Sequence, residues 1–213
     1  MLRLIAGLEP LETGSITLDA QVLSAPKLSV PPEKRHIGMV FQNYCLFPHL
    51  SVRNNIAYGI RQRQHKKERV NEMLDLIDMQ AHADRYPYQL SGGQQQRVAI
   101  AKILMQQADI ILADEPIASL DPESAKSVMN TLQNIHEQDG KTVIVTLHQV
   151  DYARRYCPRT VALKQGVVQF DGVTHELSDG FLNQLYGSEM RPEDAIPVTN
   201  RPVLNPSMAA ITQ

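Results

Sequence analysis

The sequence predicts an α/β fold, in which helices flank a mostly parallel sheet and a helical subdomain is inserted between the strands. Two apolar strands, residues 109–113 and 142–146, are joined by an amphipathic helix over residues 122–137. A helical crossover between apolar strands is typical of a parallel sheet buried on both faces. A third apolar strand, residues 37–41, is separated from these by the mostly helical stretch 43–89, which predicts the insertion.

The remaining elements follow from periodicity and turn residues. We expect helices over residues 1–8, 66–79 and 150–157, a strand over residues 14–19, and a hairpin of strands 160–163 and 167–170. Residues 1–190 are predicted to form one domain, with the helical subdomain at about 43–105. The proline-rich residues 191–213 are predicted to form a flexible tail.

Composition excludes several classes of protein. Hydrophobic residues make up 43% and charged residues 21% of the 213 residues, which is ordinary for a globular domain. The net charge of −2 gives no general attraction to nucleic acid, so no nucleic-acid partner is expected. Cys45 and Cys157 lack the spacing of metal ligands. We therefore expect free thiols in a reducing, cytosolic compartment.

A candidate anion site lies where the segment Leu-Ser-Gly-Gly-Gln, residues 90–94, opens onto an apolar run. Backbone N–H groups and the dipole at a helix N-terminus attract phosphate. The candidate binding residues are Ser91, Gly92, Gly93 and Gln94. Taken alone, this segment is better explained as an ordinary turn before a helix.

Two adjacent carboxylates favour the anion site over the ordinary turn. Asp114 and Glu115 directly follow the apolar strand 109–113, about twenty residues downstream. At a strand end Asp114 is suited to hold Mg²⁺, directly or through water. Glu115 points to the other side of the chain and is suited to polarise a water for attack on a terminal phosphate. A pair of solvated acids after a strand is the alternative interpretation.

Five motifs, in this order and spacing, resemble those of the ATP-binding subunits of ABC transporters. Residues 90–94 resemble the ABC signature, and residues 110–115 resemble the Walker B strand with its catalytic glutamate. Gln42 is similar to the Q-loop glutamine, residues 119–121 to the D-loop, and His148 to the switch histidine. The resemblance covers about residues 1–175, and it implies a P-loop NTPase-like fold that hydrolyses ATP with Mg²⁺.

The resemblance also implies a role for three residues whose types are not informative alone. Gln42 would touch the metal or the attacking water and report to the helical insertion. His148 would donate to the γ-phosphate of ATP, and Asp121 would contact the opposite subunit. A glutamine in a loop or a histidine at a strand end is more often solvated or structural. Asp121 is also suited to cap the helix that begins at Pro122, and both roles are compatible.

The implied partners are a second ABC ATPase subunit, in a homo- or heterodimer, and an integral membrane permease. The chain would then lie peripherally on the cytoplasmic face of the inner membrane. We expect residues 44–52, with Phe47 and Leu50, to receive a helix of the permease.

One motif of the family is missing from these 213 residues. No Gly-x-x-x-x-Gly-Lys-[Ser/Thr] phosphate loop is present, and the early lysines Lys27 and Lys34 lack that setting. In relatives this loop lies directly before a stretch similar to residues 2–10, so the first strands and the loop are absent from this sequence. A fragment, from a truncated gene or a misplaced start codon, is the favoured explanation, and a real loss is the alternative. Loss of a central strand predicts an unpaired strand edge, poor solubility and low stability. The chain is expected not to hold ATP alone, although it still offers its signature to an intact partner.

The transported solute is predicted from two resemblances that differ. Residues 32–52 are similar to importers of ferric iron, sulfate and polyamines, whereas residues 113–124 and 145–157 are similar to phosphonate importers. The second match is longer and includes the uncommon Ile117, so phosphonate or a related oxyanion is favoured. A non-hydrolysing accessory subunit and a soluble ABC ATPase of repair or translation are the alternatives. The short insertion and the single nucleotide domain disfavour the soluble ATPase.

Overall fold

The computed structural model describes residues 1–59, 65–186 and 208–212. The chain divides into two compact units, Met1–Asp114 and Glu115–Gln213. Their elements confirm the predicted α/β class, because each unit combines parallel strand pairs with helices.

The first unit contains two groups of strands and a set of helices. Its strands are β1 (Ile16–Leu18), β2 (Gln21–Ala25), β3 (Leu28–Ser29), β4 (Ile37–Val40) and β5 (Ile110–Ala113). Its helices are α1 (Leu2–Ile5), α2 (Val52–Ala57), α3 (Lys66–Leu76) and α4 (Gly92–Leu104), with 3₁₀ turns at Pro32–Lys34, Gln80–His82 and Pro87–Gln89. Strands β1, β2 and β3 form an antiparallel sheet, of which β2 and β3 were not predicted. Strands β4 and β5 pair in parallel, with Val40 opposite Ala113.

Helix α4 packs on strand β4 on one side and on the inserted helices on the other. Gly38 of β4 permits the first contact, because a Cβ atom there would collide with the Ile103 side chain. On its other side α4 contributes Val98 and Ala101 to an apolar cluster. The cluster also contains buried residues of α2, α3 and the segments around them: Val52, Ile56, Val70, Leu74, Ile77, Met79, Ala83, Leu90 and Met105. A separate helical subdomain at about 43–105 stays a prediction.

Arg35 fixes the beginning of the chain to the antiparallel strands. Its side chain is 2% exposed, and its guanidinium donates to the carbonyl oxygens of Ile5 and Val30, each at 2.8 Å, and to Ser24 Oγ at 2.7 Å. Gly7, at φ +77°, has no Cβ atom, which would lie 2.5 Å from Arg35 Nε. The predicted helix over residues 1–8 therefore ends early, at Ile5, where the chain turns around Arg35.

The second unit places its strands in the order β6, β9, β7, β8. These are β6 (Thr142–Leu147), β7 (Arg159–Lys164), β8 (Val167–Val173) and β9 (Met208–Thr212). The helices are α5 (Pro122–Asp139), α6 (Val150–Tyr156) and α7 (Asp179–Tyr186), with a 3₁₀ turn at Thr174–Glu176. Strands β7 and β8 form the predicted antiparallel hairpin, and both are longer than expected.

Strand β9 corrects two expectations. Residues 208–212 are not part of a flexible tail, because they form a strand parallel to both β6 and β7. No unpaired edge remains between β6 and β7, because β9 pairs with both of them. Backbone pairing on both sides satisfies the N–H and C=O groups of this short segment, which a local sequence pattern does not reveal. Residues 191–207 and 213 lie outside the described residues.

Within the described part of the chain, no helix is long and apolar enough to cross a membrane.

Candidate functional site

The candidate anion site is the N-terminus of α4. Ser91 is its N-cap residue, and Ser91 Oγ accepts from the N–H of Gln94 at 3.3 Å. In return, Gln94 Oε1 accepts from the N–H of Ser91 at 3.0 Å. These reciprocal bonds form a capping box, which fixes the direction in which the helix begins. The side chains of Ser91 and Gln94 thus define the helix start.

The backbone of Gly92 and Gly93 supplies the donors that suit an anion. Both residues belong to the first turn of α4, where N–H groups have no acceptor within the helix by position. Gly93 is buried, whereas the Gly92 and Ser91 positions reach the surface. The capping bonds and an anion-binding role therefore use different groups, so the turn and the binding interpretations are compatible.

Gln42 and Asp114 follow the carboxyl ends of the paired strands β4 and β5. Val40 and Ala113 are opposite each other at the strand ends, and the N–H of Asp114 donates to the Val40 carbonyl oxygen at 3.0 Å. Gln42 is exposed and Asp114 is partly buried. Both predicted metal residues therefore lie at the same edge of this strand pair.

Glu115 and His148 are in direct contact in the second unit. His148 Nε2 lies 2.8 Å from Glu115 Oε1, and the His148 side chain is 60% exposed while that of Glu115 is 29% exposed. The predicted base and the predicted phosphate-sensing histidine therefore share a hydrogen bond. With Nε2 protonated, the imidazole donates to the carboxylate and fixes its orientation.

The backbone of Glu115 is held in an unusual conformation by a residue that the sequence did not single out. Its φ is 47°, in the left-handed region that side-chain-bearing residues rarely adopt. Its N–H donates to Thr146 Oγ1 at 2.8 Å, and Thr146 is buried on β6. Strained residues of this kind are concentrated at functional sites. The apolar pattern of β6 gave no signal for the role of Thr146, because only the register of the fold brings it to Glu115.

Asp121 caps helix α5, as one of its two interpretations predicted. Asp121 Oδ1 accepts from the N–H of Ser124 at 2.9 Å. Hydrogen bonds from Ser124, through its side chain and its backbone, hold the pKa of the Asp121 carboxylate below its ordinary value. Its contact with an opposite subunit stays a prediction.

The donor set is compatible with Mg²⁺ that is bound mainly through a phosphate. No group of three His, Cys, Asp or Glu side chains with metal-binding geometry occurs among the described residues. Mg²⁺ does not require such a cage, because it keeps several waters and uses one or two carboxylates together with substrate phosphates. Asp114, at a strand end, is a carboxylate of this kind.

The loop that follows Gln42 lies beside a concave surface of the first unit. A cavity of about 230 Å³ is lined by β4, by Tyr44 and Cys45, and by Ala99, Lys102 and Ile103 of α4. Phe47 packs against Tyr58, with ring centroids 4.2 Å apart. The cavity is mainly apolar, as expected of a surface that receives a partner helix.

Comparison with known proteins gives a consistent result. The family model described as ABC transporter matches residues 1–118. The phosphonates import ATP-binding protein PhnC 1 of Pseudomonas aeruginosa (strain UCBPP-PA14) is 47% identical over 207 residues, covering 89% of this chain and 74% of that protein. PhnC of Escherichia coli (strain UTI89 / UPEC) is 47% identical over 173 residues, covering 76% of this chain and 66% of that protein.

Solved structures show the same likeness. The dimeric ATP-binding cassette MJ0796, bound to ADP and Pi, is similar with a TM-score of 0.69 and 33% identity, covering 81% of this chain and 78% of that chain. The cbiO1 protein of Clostridium perfringens, part of the ABC transporter complex cbiONQ, is similar with a TM-score of 0.72 and 25% identity. That match covers 86% of this chain and 75% of that chain.

Proposed function

This chain belongs to the family of ABC transporter ATP-binding proteins, and we propose that it is the ATP-hydrolysing coupling subunit of a bacterial phosphonate importer. The observation that carries hydrolysis is the contact between Glu115 and His148 at 2.8 Å, with Glu115 held in a strained backbone conformation. The assignment of phosphonate as the solute rests on the names of the phosphonate-import relatives and on the matching residues 113–124 and 145–157. Importers of iron, sulfate or polyamine are the alternative that residues 32–52 favour.

Phosphate binding is assigned to backbone groups. Gly92 and Gly93 donate their N–H groups to phosphate oxygens of ATP, and the positive end of the α4 dipole adds to this attraction. Asp114 would hold Mg²⁺, and Gln42 would touch the metal or the attacking water. Bound Mg²⁺ supplies charge neutralisation on the phosphate oxygens.

Glu115 is assigned the contact with the attacking water, and His148 the contact with the terminal phosphate. Glu115 accepts a hydrogen bond from the attacking water and orients it for in-line attack. His148 is suited to donate to the terminal phosphate, a contact that requires its Nε2–H to turn away from Glu115.

The site is divided between two subunits in this proposal. The phosphates that meet Ser91–Gln94 are held by a second subunit, and Glu115 acts on a phosphate that meets the signature of that second subunit. A non-hydrolysing accessory role requires only the signature, and it is the second candidate because the α4 N-terminus is fully formed.

The third part of the proposal is the membrane partner. We assign the segment 44–52 and its cavity to the permease, which places the chain peripherally on the cytoplasmic face of the inner membrane. Capture of the chain by its detergent-solubilised permease is the test. Replacing Phe47 and Leu50 together by Asp is expected to abolish capture, and unchanged capture would contradict the assignment. Replacing Tyr88, which is 77% exposed on another surface, is the control.

Substitutions at the chromosomal locus test the catalytic assignment in the native protein. Glu115→Gln removes the base, and a loss of about 100-fold or more in hydrolysis is expected to abolish growth on a phosphonate as sole phosphorus source. Glu123→Gln, at an exposed position of α5, is the matched control. Gly92→Asp separates the two candidates, because it favours the helix start while repelling phosphate. If Gly92→Asp abolishes growth but Glu115→Gln does not, the accessory role is favoured. Growth of both variants would contradict the proposal.

A further inference from the structure

The segment that follows Gln42, residues 43–50, is attached to helix α4 through one lysine. We call this segment the docking loop. Lys102 Nζ, from the last turn of α4, donates to the Cys45 carbonyl oxygen at 2.9 Å. The same ammonium lies 4.2 Å from the centroid of the Phe47 ring. Lys102 therefore holds the docking loop by a hydrogen bond and by a cation–π contact.

The conformation of the docking loop requires such a restraint. Tyr44 and Cys45 have φ values of 58° and 48°, which are unfavourable for residues with side chains. Two consecutive residues in this region persist only when their surroundings hold them. The Cys45 carbonyl that accepts from Lys102 belongs to this strained pair.

A second anchor, from helix α2, holds the other end of the loop. Asn55 of α2 is fully buried, and its amide accepts from the N–H of Phe47 at 2.8 Å. It also donates to the carbonyl oxygens of Phe47 and Leu50, at 3.1 and 2.9 Å. Asn55 therefore shapes the loop locally, whereas Lys102 connects it to the helix whose first turn is the signature.

Lys102 is partly buried, whereas its partner Cys45 is exposed. Burial lowers the pKa of the Lys102 ammonium, and the neighbouring Cys45 partly opposes this shift. An ammonium that has lost part of its hydration depends more strongly on the carbonyl and the ring that replace it.

We propose that Lys102 is a positioning residue that couples the docking loop to the signature helix, so that a permease seated on the loop moves the first turn of α4. This inference rests on the proposed function, because it takes the docking loop as the permease contact. Helix α4 is continuous from Gly92 to Leu104, and a single helix transmits a displacement at one end to the other. Lys102 lies ten positions after Gly92, a span of roughly 15 Å in a helix.

Hydrogen exchange of the full chain tests the attachment. Lys102→Met is expected to speed exchange of the loop amides about tenfold, because the strained pair loses its restraint. Lys102→Arg is expected to restore slow exchange, since a guanidinium also donates to a carbonyl and stacks on an aromatic ring. Lys126→Met, on the exposed face of α5, is the control for loss of a lysine. Equal loop exchange in Lys102→Met and Lys126→Met would overturn the proposal.

Addition of the detergent-solubilised permease tests the coupling. In the wild type, permease binding is expected to slow exchange both in the docking loop and at residues 92–95. In Lys102→Met, protection of the loop is expected to remain while protection of residues 92–95 is lost, and Lys102→Arg regains it. Protection of residues 92–95 in Lys102→Met equal to wild type would overturn the coupling. Absence of loop protection in the wild type would instead refute the proposed permease docking and, with it, the coupling. The attachment of the loop to α4 is then still tested by hydrogen exchange of the chain without permease.

Discussion

At the scale of single residues, Glu115 combines three features that rarely occur together. It carries a left-handed φ of 47°, its N–H is held by Thr146 Oγ1, and its carboxylate contacts His148. The backbone bond fixes the start of the Glu115 residue against β6. Removing Thr146 Oγ1 would therefore act on the orientation of Glu115 and not on its chemistry.

The two cysteines are expected to differ sharply in reactivity. Cys157 is 3% exposed, and burial raises its pKa to about 12, whereas Cys45 is exposed. Because the thiolate is the reactive form, a thiol reagent at pH 8 is expected to label one cysteine in the native chain and both in urea. Cys45→Ser should abolish the native reaction. Two thiols reacting at equal rates in the native chain would show that Cys157 is accessible.

Arg35 is expected to be among the residues most important for stability in the first unit. Arg35→Met removes the donor from the part-buried carbonyls of Ile5 and Val30 and from the buried hydroxyl of Ser24. We expect the free energy of unfolding to fall by about 3–5 kcal/mol. Urea denaturation measures it, with Lys34→Met, an exposed neighbour, as control. A change below about 1 kcal/mol would show that these groups find other partners.

At the scale of elements, the two helices that begin at candidate site residues are both capped by those residues. Ser91 begins α4 and Asp121 begins α5, each through a side-chain oxygen that accepts from the backbone three residues later. Pro122, at the first helical position, predicted where α5 begins. The pattern Ser-x-x-Gln, which signals a capping box, was also present at Ser91. Of these two local signals, only the cap at Asp121 was predicted.

The cap at Asp121 is expected to make stability depend on pH in the acidic range. The folded pKa of Asp121 is lowered, so its stabilisation is complete above the unfolded pKa, near 3.9, and is lost as pH falls through the folded pKa. Asp121→Ala is expected to lower the urea midpoint at pH 7. The difference from wild type should narrow below about pH 4. If the difference in urea midpoint between Asp121→Ala and wild type is constant with pH, the effect comes from side-chain size and not from charge.

At the scale of the whole chain, local patterns predicted most strands and helices but not their long-range pairing. The apolar runs of β4, β5 and β6 and the hairpin of β7 and β8 were recognised, because period and turn residues are local signals. Residues 208–212 were assigned to a tail, since nothing in a run of five residues indicates that it pairs with both β6 and β7. The contact of Glu115 with His148 was missed for the same reason.

Strand β9 is expected to stabilise its neighbours through backbone pairing. Ala210 pairs with Val145 of β6 and Thr160 of β7. Ala210→Pro removes the N–H and is expected to speed hydrogen exchange in β6 and β7 by about tenfold or more. Ala210→Gly, which keeps the N–H, is the control. Equal exchange in the two variants would show that β9 does not support the sheet.

The division of the nucleotide site between two subunits is tested most directly by ATP hydrolysis in a mixing experiment. The purified 213-residue chain is assayed alone and then with an intact phosphonate-import ATP-binding protein whose own signature glycine is replaced by aspartate. This chain carries Glu115→Gln throughout, so that hydrolysis at its own glutamate does not contribute. We expect it to stimulate turnover by the partner, an effect that is lost when this chain also carries Gly92→Asp and retained with Gly92→Ala. No stimulation, or equal stimulation by the Gly92→Asp chain, would contradict the account.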